Sequence, residues 1–215
     1  GYSSVWNEPV LPGPVLQPEA FKYIKSGQSA EHTCAIGISG DTWCWGNSGN
    51  GQLGVGPLSG VDTSRPLRVS GGHKFSALAL GTGFSCGLET SGHVWCWGTD
   101  YFGELGIPRA SYGNVQNYLA PEPVQGLPAQ IIDIGAGSNH VCAVASGGAS
   151  FCWGWNGRSA LGNGNVGVSD ISKDIYMPIS IATLKFFMQI RGGNYSSCAL
   201  TTDQTTYCWG LRLGF

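Results

Sequence analysis

Apolar and polar residues alternate in four short stretches of the chain, and each stretch is bounded by a pair of cysteines. The four stretches are HTCAIGISGDTWCWG from His32, FSCGLETSGHVWCWG from Phe84, HVCAVASGGASFCWG from His140 and SSCALTTDQTTYCWG from Ser196. In each of them an apolar residue lies two positions after the first cysteine and an aromatic residue directly precedes the second, and residues of these types favour β-strands. The pattern therefore predicts four β-hairpins.

The middle of each stretch predicts the kind of turn that joins the two strands. The residues at this point are Ser39-Gly40, Ser91-Gly92, Gly147-Gly148 and Asp203-Gln204. A three-residue hairpin loop places its last residue in the left-handed region of backbone conformation, which suits glycine. Gln204 is the exception, and we expect it to cost about 1 kcal/mol of backbone strain.

Further short strands are expected on both sides of each hairpin. Upstream lie Ile24 with Gly27, Leu78 with Gly81, Ile134 with Gly137 and Ile190 with Gly193, and the first unit holds two extra residues before its hairpin. Downstream, the segments 66–69, 121–124 and 178–181 are each expected to start a strand with a proline. The chain is therefore a tandem array of four units, about 14–65, 66–120, 121–177 and 178–215, and residues 1–13 form an N-terminal strand or extension.

The eight cysteines are expected to form one disulfide in each hairpin. With residues 38–40 as the loop, Cys34 lies directly opposite Cys44 in a non-hydrogen-bonded pair, whose Cα atoms are about 4.5 Å apart, within the range of a disulfide. The predicted bonds are Cys34–Cys44, Cys86–Cys96, Cys142–Cys152 and Cys198–Cys208. Because paired thiols persist only outside the reducing cytosol, we expect the protein to be secreted or to face the outside of the cell.

Zinc binding, or a set of buried free thiols, is the alternative explanation of the cysteines. Structural zinc sites favour two cysteines separated by two to four residues, and the sequence has no such pair. Histidines precede the first cysteine at His32 and His140, but Phe84 and Ser196 hold the same place in the other two units. A repeated metal site would not lose a ligand in half of its copies.

The residues after each hairpin complete a recognisable repeat. They read WGNSGNGQLG from Trp45, WGTDYFGELG from Trp97 and WGWNGRSALG from Trp153. An apolar strand ending in glycine, a hairpin, Trp-Gly and a Gly-Gln-Leu-Gly-like turn together resemble the repeat of the regulator of chromosome condensation family, over about residues 14–215. The resemblance implies an all-β fold, a β-propeller, which in known members usually has seven blades.

Four units raise the question of how the propeller closes. A closed four-bladed ring and half of an eight-bladed ring are both conceivable. However, unit four stops at Phe215 before its turn leucine, and residues 1–13, with Trp6, Pro9 and Pro12, are expected to be the tail of a preceding blade. We therefore expect an incomplete ring that belongs to a longer chain or is completed by a partner. The start at Gly1 without Met is likewise expected for a processed product or a segment of something longer.

The cysteines distinguish this chain from the nuclear members that it resembles. In this respect it is similar to the extracellular relatives found in secreted bacterial proteins and in the ectodomains of plant crinkly-type receptor kinases. The resemblance therefore implies an extracellular variant and argues against a guanine-nucleotide exchange role.

Composition excludes several classes of partner. Charged residues make up 11% of the 215 residues, the net charge is −2, and Lys and Arg form no run, so neither nucleic acid nor an anionic membrane is expected as a partner. No apolar stretch is long enough to span a bilayer. The 35 glycines and the scarcity of Lys, Glu and Met also argue against a mostly helical fold.

The sequence contains no recognisable set of catalytic residues and no cofactor-binding motif. We therefore expect a protein that is not an enzyme. The carboxylates are scattered, with Glu89 and Glu104 near turns of unit two and Asp170 and Asp174 in the third connection. Asn163, Asn165 and the two aspartates are compatible with calcium, but a solvated turn is the simpler interpretation. The repeated tryptophans, Trp45, Trp97, Trp153 and Trp209, are expected to pack between blades, and a carbohydrate platform is the alternative.

One modification site is predicted, at Asn194. Asn194-Tyr195-Ser196 is an N-glycosylation sequon, which becomes meaningful in a eukaryotic secretory pathway, and a chance triplet is the alternative.

The candidate binding loops are the segments that vary between units, namely 55–65, 107–120 and 163–177. The second of these contains Tyr112, Asn114, Asn117 and Tyr118, a composition suited to adaptable contacts with protein or sugar, although a variable loop without a partner explains it as well. We expect an extracellular, non-enzymatic propeller module that binds a protein or self-assembles. The alternatives are a secreted enzyme inhibitor, as some bacterial members of the family are for β-lactamases, and a carbohydrate-binding, lectin-like propeller.

Overall fold

The computed structural model describes residues 14–27, 29–60, 62–108, 116–165 and 175–211. Within these ranges the chain forms strands and three short 3₁₀ turns, at Gly56–Leu58, Ser70–Gly72 and Gly157–Ser159. The strands are β1 (Phe21–Ser26), β2 (His32–Gly37), β3 (Thr42–Gly46), β4 (Thr63–Arg68), β5 (Phe75–Gly81), β6 (Phe84–Glu89), β7 (Val94–Thr99), β8 (Asn117–Pro123), β9 (Ile131–Ala136), β10 (His140–Ala145), β11 (Ser150–Gly154), β12 (Ile175–Ser180), β13 (Phe187–Gly192), β14 (Ser196–Thr201) and β15 (Thr206–Gly210). The all-β prediction is therefore confirmed.

Consecutive strands pair antiparallel in chain order and form the blades of a propeller. Blade 1 contains β1 to β4, blade 2 contains β5 to β8, blade 3 contains β9 to β12, and the described part of blade 4 contains β13 to β15. The first strand of each blade is the one that contacts its counterpart in the next blade, so these strands lie innermost. The main contacts between blades also follow chain order, which makes the described residues an arc of four blades.

The hairpins have the predicted register and turn. Cys34 pairs with Cys44, Ala35 with Trp43 and Ile36 with Thr42, and the other three hairpins repeat these pairings. The last loop residue has a positive φ in every hairpin, including Gln204, whose φ is 66°. The expectation that a non-glycine residue adopts the left-handed conformation there is confirmed.

The outer strands differ from the prediction in where they begin. They were expected to start at Pro66, Pro121 and Pro178, but β4, β8 and β12 begin at Thr63, Asn117 and Ile175. The prolines lie inside these strands, where the missing N–H is tolerated because each strand forms the outer edge of its sheet. Each blade consequently extends a few residues past the corresponding sequence unit.

The hydrophobic core consists of three clusters, each of which lies between two neighbouring blades. The cluster between blades 1 and 2, for example, joins Cys34, Ile36 and Leu53 of blade 1 to Leu78 and Trp97 of blade 2. We call each such boundary between two blades a seam. The front face of a blade is the side that meets the preceding blade, and the back face is the opposite side. The fold is held together chiefly at the seams.

Residues 1–13, which were predicted to form a strand or extension, lie outside the described residues. No helix in the described part of the chain is long and apolar enough to cross a membrane.

Candidate functional site

The disulfides lie on the back faces of the blades, within the hairpins. The structure joins Cys34 to Cys44, Cys86 to Cys96, Cys142 to Cys152 and Cys198 to Cys208. The sulfurs of the first three blades are buried in the seams, where they pack against the first strand of the next blade. The spacing of the cysteines predicts the pairing, but it gives no sign that the sulfurs form part of the core between blades.

A repeated hydrogen bond from a tryptophan crosses each seam. The indole N–H of Trp97 donates to the Gln52 carbonyl at 2.9 Å, that of Trp153 to the Glu104 carbonyl at 2.8 Å, and that of Trp209 to the Ala160 carbonyl at 2.9 Å. Each acceptor precedes the buried turn leucine of the preceding blade, Leu53, Leu105 or Leu161. The prediction that tryptophans pack between blades is confirmed for Trp97 and Trp153, which are fully buried and cannot serve as a carbohydrate platform.

The other two tryptophans are only half-buried. Trp209 makes the hydrogen bond across the seam, but the neighbouring residues on the back face of blade 4 are open to solvent. Trp45 stacks on Phe21 of its own blade with 5.9 Å between ring centroids, and its indole N–H donates to no described residue. The front face of blade 1 therefore displays an aromatic pair whose equivalent in blade 2, Phe75 with Trp97, is buried.

A second pair of residues crosses each seam, and its chemistry changes from seam to seam. His32 Nε2 lies 2.6 Å from Ser85 Oγ between blades 1 and 2, and His140 Nε2 lies 2.8 Å from Ser197 Oγ between blades 3 and 4. Between blades 2 and 3 the same two positions hold buried Phe84 and Val141. Histidine thus pairs with serine and phenylalanine with valine, which accounts for the phenylalanine that replaces the histidine in the second unit.

The serines determine which histidine nitrogen carries the proton. Ser85 Oγ donates to the Gln52 carbonyl at 2.8 Å, and Ser197 Oγ donates to the Ala160 carbonyl at 3.0 Å. Because each hydroxyl proton is used in this way, each serine accepts a hydrogen bond from His Nε2. Burial lowers the pKa of His32 and of His140 to about 4, so both rings are neutral in the folded protein at physiological pH.

Blade 2 buries a carboxyl group that the sequence did not single out as buried. Glu104 occupies the turn position of Gln52, and its Oε2 accepts the backbone N–H of Phe102 at 2.7 Å. Burial raises the pKa of Glu104 to about 8, and the neighbouring Asp100 carboxylate contributes to the same shift. The only signal in the sequence was the alignment of a glutamate with the glutamine of the first repeat.

The turns between the first and second strands converge near the propeller axis. Ser29 Oγ lies 2.8 Å from Ser138 Oγ, which in turn donates to Asn194 Oδ1 at 2.5 Å. This contact joins blades 1, 3 and 4. Asn194 is exposed and its Nδ2, the atom that glycosylation would modify, is bonded to no described residue, so the sequon stays a prediction.

The same end of the blades carries the loops that were predicted to bind a partner. Leu58 and Tyr101, in the connections after β3 and β7, are exposed, as is Tyr195 in the turn before β14. We call these three side chains the turn-end patch. Tyr195 packs on Trp155, with 5.1 Å between ring centroids.

Several of the predicted loop residues do not fall on an open described surface. Tyr112, Asn114, Asp170 and Asp174 lie outside the described residues. Asn117 is exposed at the start of β8, whereas Tyr118 is half-buried against the cluster between blades 2 and 3. The side-chain oxygen of Asn163 accepts the Asn165 backbone N–H at 3.0 Å, as expected for the turn interpretation.

The described residues contain no cluster of three or more potential metal ligands. Glu89, one of the scattered carboxylates, lies 2.8 Å from His73 Nδ1 in a partly buried pair on the hairpin end of blade 2. The arrangement as a whole is a stiff framework with varied loops at one end.

Comparison with known proteins gives a consistent picture. The family model described as "Regulator of chromosome condensation (RCC1) repeat" matches residues 39–88, 91–144 and 148–200. Ultraviolet-B receptor UVR8 of Arabidopsis thaliana is 28% identical over 203 residues, which are 93% of this chain and 43% of that protein. The mitochondrial RCC1 domain-containing protein RUG3 of the same plant is 30% identical over 196 residues, 87% of this chain and 42% of that one.

Solved structures agree on the fold. Yeast RCC1 (Prp20), in its complex with Kap60, superimposes with a TM-score of 0.75 at 20% identity, covering 92% of this chain and 45% of that one. The chain thus spans less than half the length of each of these three relatives.

Proposed function

Because this chain belongs to the regulator of chromosome condensation (RCC1) repeat family, we propose that it is a non-enzymatic, protein-binding part of a propeller that works outside the cell. The observation that carries the proposal is the contrast between fixed seams and varied loops. The tryptophan bonds recur at every seam, whereas the connections after β3, β7 and β11 differ from one unit to the next. Such a scaffold can present loops in a constant geometry at little entropic cost.

Protein is the partner class that the exposed surface favours. The turn-end patch combines a leucine with two tyrosines, and large aromatic side chains are the typical anchors of protein interfaces. The solved complex of yeast RCC1 with Kap60 gives a precedent for protein binding by a relative of this fold. Kap60 itself is not thereby a partner of this chain.

The extracellular setting rests on the cysteines. All eight are paired within their own hairpins, and a set of four disulfides is expected to persist only in an oxidising compartment. Peptide mapping of the natural protein without reductant is expected to recover the four linkages. Free thiols in freshly isolated material would contradict an extracellular location.

The binding proposal is tested with matched charge substitutions. We expect Leu58→Glu and Tyr101→Glu to abolish capture of a partner from the medium surrounding the source cells, because each replaces an exposed apolar or aromatic side chain at this end of the blades with a carboxylate. Ile38→Glu is the matched control, since Ile38 is at least as exposed as both residues but lies in the β2–β3 turn at the hairpin end. A partner that all three variants retain would contradict the assignment of this face.

The purified protein used for the binding test also distinguishes the alternative functions. Stoichiometric inhibition of a hydrolase such as a β-lactamase would identify a secreted inhibitor. Binding to a glycan array that is lost in Tyr101→Ala would instead identify a lectin-like propeller. Catalytic turnover of a small substrate would overturn the non-enzymatic assignment.

A further inference from the structure

The connection from blade 3 to blade 4 carries two large apolar side chains into solvent. Leu184 is 96% exposed and Phe186 is 63% exposed, and both lie between β12 and β13 at the hairpin end of the blades. A leucine with nearly all of its surface in water contributes almost nothing to the hydrophobic core. The two residues are therefore candidates for contact with another molecule.

The exposure of Leu184 and Phe186 follows from their place in the repeat. Counted back from the inner strand that follows, they occupy the places of Gly72 and Lys74 in the connection from blade 1 to blade 2. A four-stranded blade follows that connection, yet Gly72 and Lys74 are exposed, and a Cβ at Gly72 would meet no atom within 4 Å. A side chain at this place therefore points into solvent even beside a four-stranded blade.

The fold does not need large apolar residues at these two places. The connection from blade 1 to blade 2 has a glycine and a lysine there, and the connection from blade 2 to blade 3 has Pro128 and Gln130, which are exposed as well. A leucine and a phenylalanine in water do not stabilise the fold, but contact with another molecule would bury their surface favourably. The pair therefore points to such a contact.

The two side chains line one pocket, which lies between the connection and blade 3. We call it the connection pocket, and its volume is about 280 Å³. Its other walls include Ala149 in the β10–β11 turn and Ile181 directly after β12. Pockets for drug-sized ligands begin at about 300 Å³, so the connection pocket has the size for a single large side chain of a partner.

Lys185 adds a positive charge to the same pocket. At the equivalent place before blade 2, His73 pairs with Glu89, but in blade 4 Thr201 stands where Glu89 stands in blade 2. The Lys185 ammonium group lies over the Tyr207 ring, 5.5 Å from its centroid. No carboxylate among the described residues forms an ion pair with Lys185, so its charge is available to a carboxylate from another molecule.

Asp203, in the β14–β15 turn, does not use up this charge. Its carboxylate accepts hydrogen bonds from the Thr201 hydroxyl and from the Thr205 backbone N–H, at 3.2 Å for the second. These bonds are the main causes of its lowered pKa, and Lys185 adds only the smallest contribution. The Asp203 carboxylate is thus held within its own turn.

We propose that the connection pocket docks a peptide segment of a protein partner in which a large apolar side chain lies next to a carboxylate. The apolar side chain fills the pocket against Leu184 and Phe186, and the carboxylate pairs with Lys185. Charge complementarity decides the class of partner, because a basic segment would oppose like charges at Lys185. The pocket and the turn-end patch lie at opposite ends of the blades, so this proposal does not depend on the role proposed for that patch.

The probes are two capped dipeptides that differ only in charge, N-acetyl-Phe-Glu-amide and N-acetyl-Phe-Gln-amide. Methyl NMR of the 215-residue chain reports their binding through Ala149, Ile181 and Leu184, which line the pocket. We expect both dipeptides to shift these signals saturably. The glutamate dipeptide is expected to bind about two- to fivefold more tightly, which is the range for one exposed ion pair.

Two variants separate the charged and apolar contributions. Lys185→Gln is expected to remove the preference for the glutamate dipeptide and to leave binding of the glutamine dipeptide unchanged. Leu184→Ser is expected to weaken both dipeptides about tenfold, and the exposure of Leu184 makes the variant harmless to folding. Ile38→Ser is the matched control, because Ile38 is 68% exposed at the hairpin end of blade 1, and it should change neither dissociation constant.

Other outcomes would overturn the proposal. Shifts that do not saturate, or a preference for the glutamate dipeptide that survives in Lys185→Gln, would contradict a peptide site of this chemistry. Binding of dodecanoate without binding of either dipeptide would assign the pocket to a small amphiphile. Co-sedimentation with phosphatidylserine vesicles that Leu184→Ser abolishes would assign it to a membrane surface, and a wild-type dimer that the same variant dissociates would assign it to a second copy of the chain.

Discussion

Gln204 occupies the turn position that glycine holds in the other three hairpins, and its φ of 66° puts a side chain into the left-handed region. Its backbone conformation is imposed by the register of β14 and β15, because Cys198 and Cys208 must stay opposite each other. The residue therefore carries strain that the glycines at positions 40, 92 and 148 avoid.

We expect Gln204→Gly to raise the free energy of unfolding by up to about 1 kcal/mol, since it removes this strain at an exposed site. Denaturant titration measures the change. Gly40→Gln is the reciprocal control, because a Cβ at Gly40 would have only the flexible Lys74 side chain within 4 Å. It should destabilise by a similar amount, and a neutral outcome for both variants would disprove the strain.

Glu104 is the residue whose ionisation opposes folding. Burial raises its pKa from 4.5 to about 8, so the folded state holds a proton that the unfolded state releases. The stability that the protonated form gives is complete below pH 4.5 and is lost as the pH rises towards 8.

Glu104→Gln should therefore stabilise the protein at pH 8 by on the order of 2–4 kcal/mol and leave it almost unchanged at pH 4. The glutamine at the same position of blade 1 shows that the turn accommodates an amide, since Gln52 Nε2 donates to Asn47 Oδ1 at 2.7 Å. Thermal melts across this pH range measure the effect. A variant with the same pH dependence as the wild type would show that Glu104 is already ionised in the fold.

At the scale of elements, the seam depends on a strand of one blade meeting a turn of the blade before it. The carbonyl of Gln52 receives both the Trp97 indole and the Ser85 hydroxyl, so one turn anchors two residues of the following hairpin. These two hydrogen bonds to one acceptor lie in the part of the turn after β3 that is buried, residues 51–56.

Replacing the indole tests the anchor directly. Trp97→Phe should lower the free energy of unfolding by about 1–3 kcal/mol, through the lost hydrogen bond and the cavity that the smaller ring leaves. Trp45→Phe is the control, because Trp45 is half-buried and donates to no described residue, and it should cost much less. Equal losses in the two variants would contradict the anchoring role of the Gln52 carbonyl.

The hairpins were predictable from the sequence and the seams were not. The reason is that hairpin contacts join residues that are close along the chain, whereas seam contacts join residues of different units. The register that opposes Cys34 to Cys44 follows from the turn between them, which is local information. The contact between His32 and Ser85 joins residues of different units, and neither residue by itself predicts the contact. Glu104 was noticed as a carboxylate near a turn, but its burial depends on the blade that follows it.

At the scale of the whole molecule, the seams differ in their response to acid. Two of them contain a neutral histidine whose pKa is lowered from 6.5 to about 4, and the seam between blades 2 and 3 contains Phe84 and Val141 instead. The stability that neutral His32 and His140 give is present above pH 6.5 and is lost as the pH falls towards 4.

We expect hydrogen exchange near pH 4 to increase first at the seams between blades 1 and 2 and between blades 3 and 4, while the seam between blades 2 and 3 stays protected. His140→Phe combined with Ser197→Val copies the apolar seam and should remove the acid response between blades 3 and 4 alone. Uniform loss of protection along the chain would contradict seam-specific opening.

Every sulfur bridge closes within a single hairpin, and none ties one blade to another. A gene duplication that adds a blade, or a deletion that removes one, therefore always inserts or takes away an even number of cysteines that find each other locally. Oxidative maturation can proceed blade by blade as the polypeptide emerges, without waiting for distant partners. Arrays of this type are consequently free to change their number of repeats during evolution without passing through mispaired intermediates.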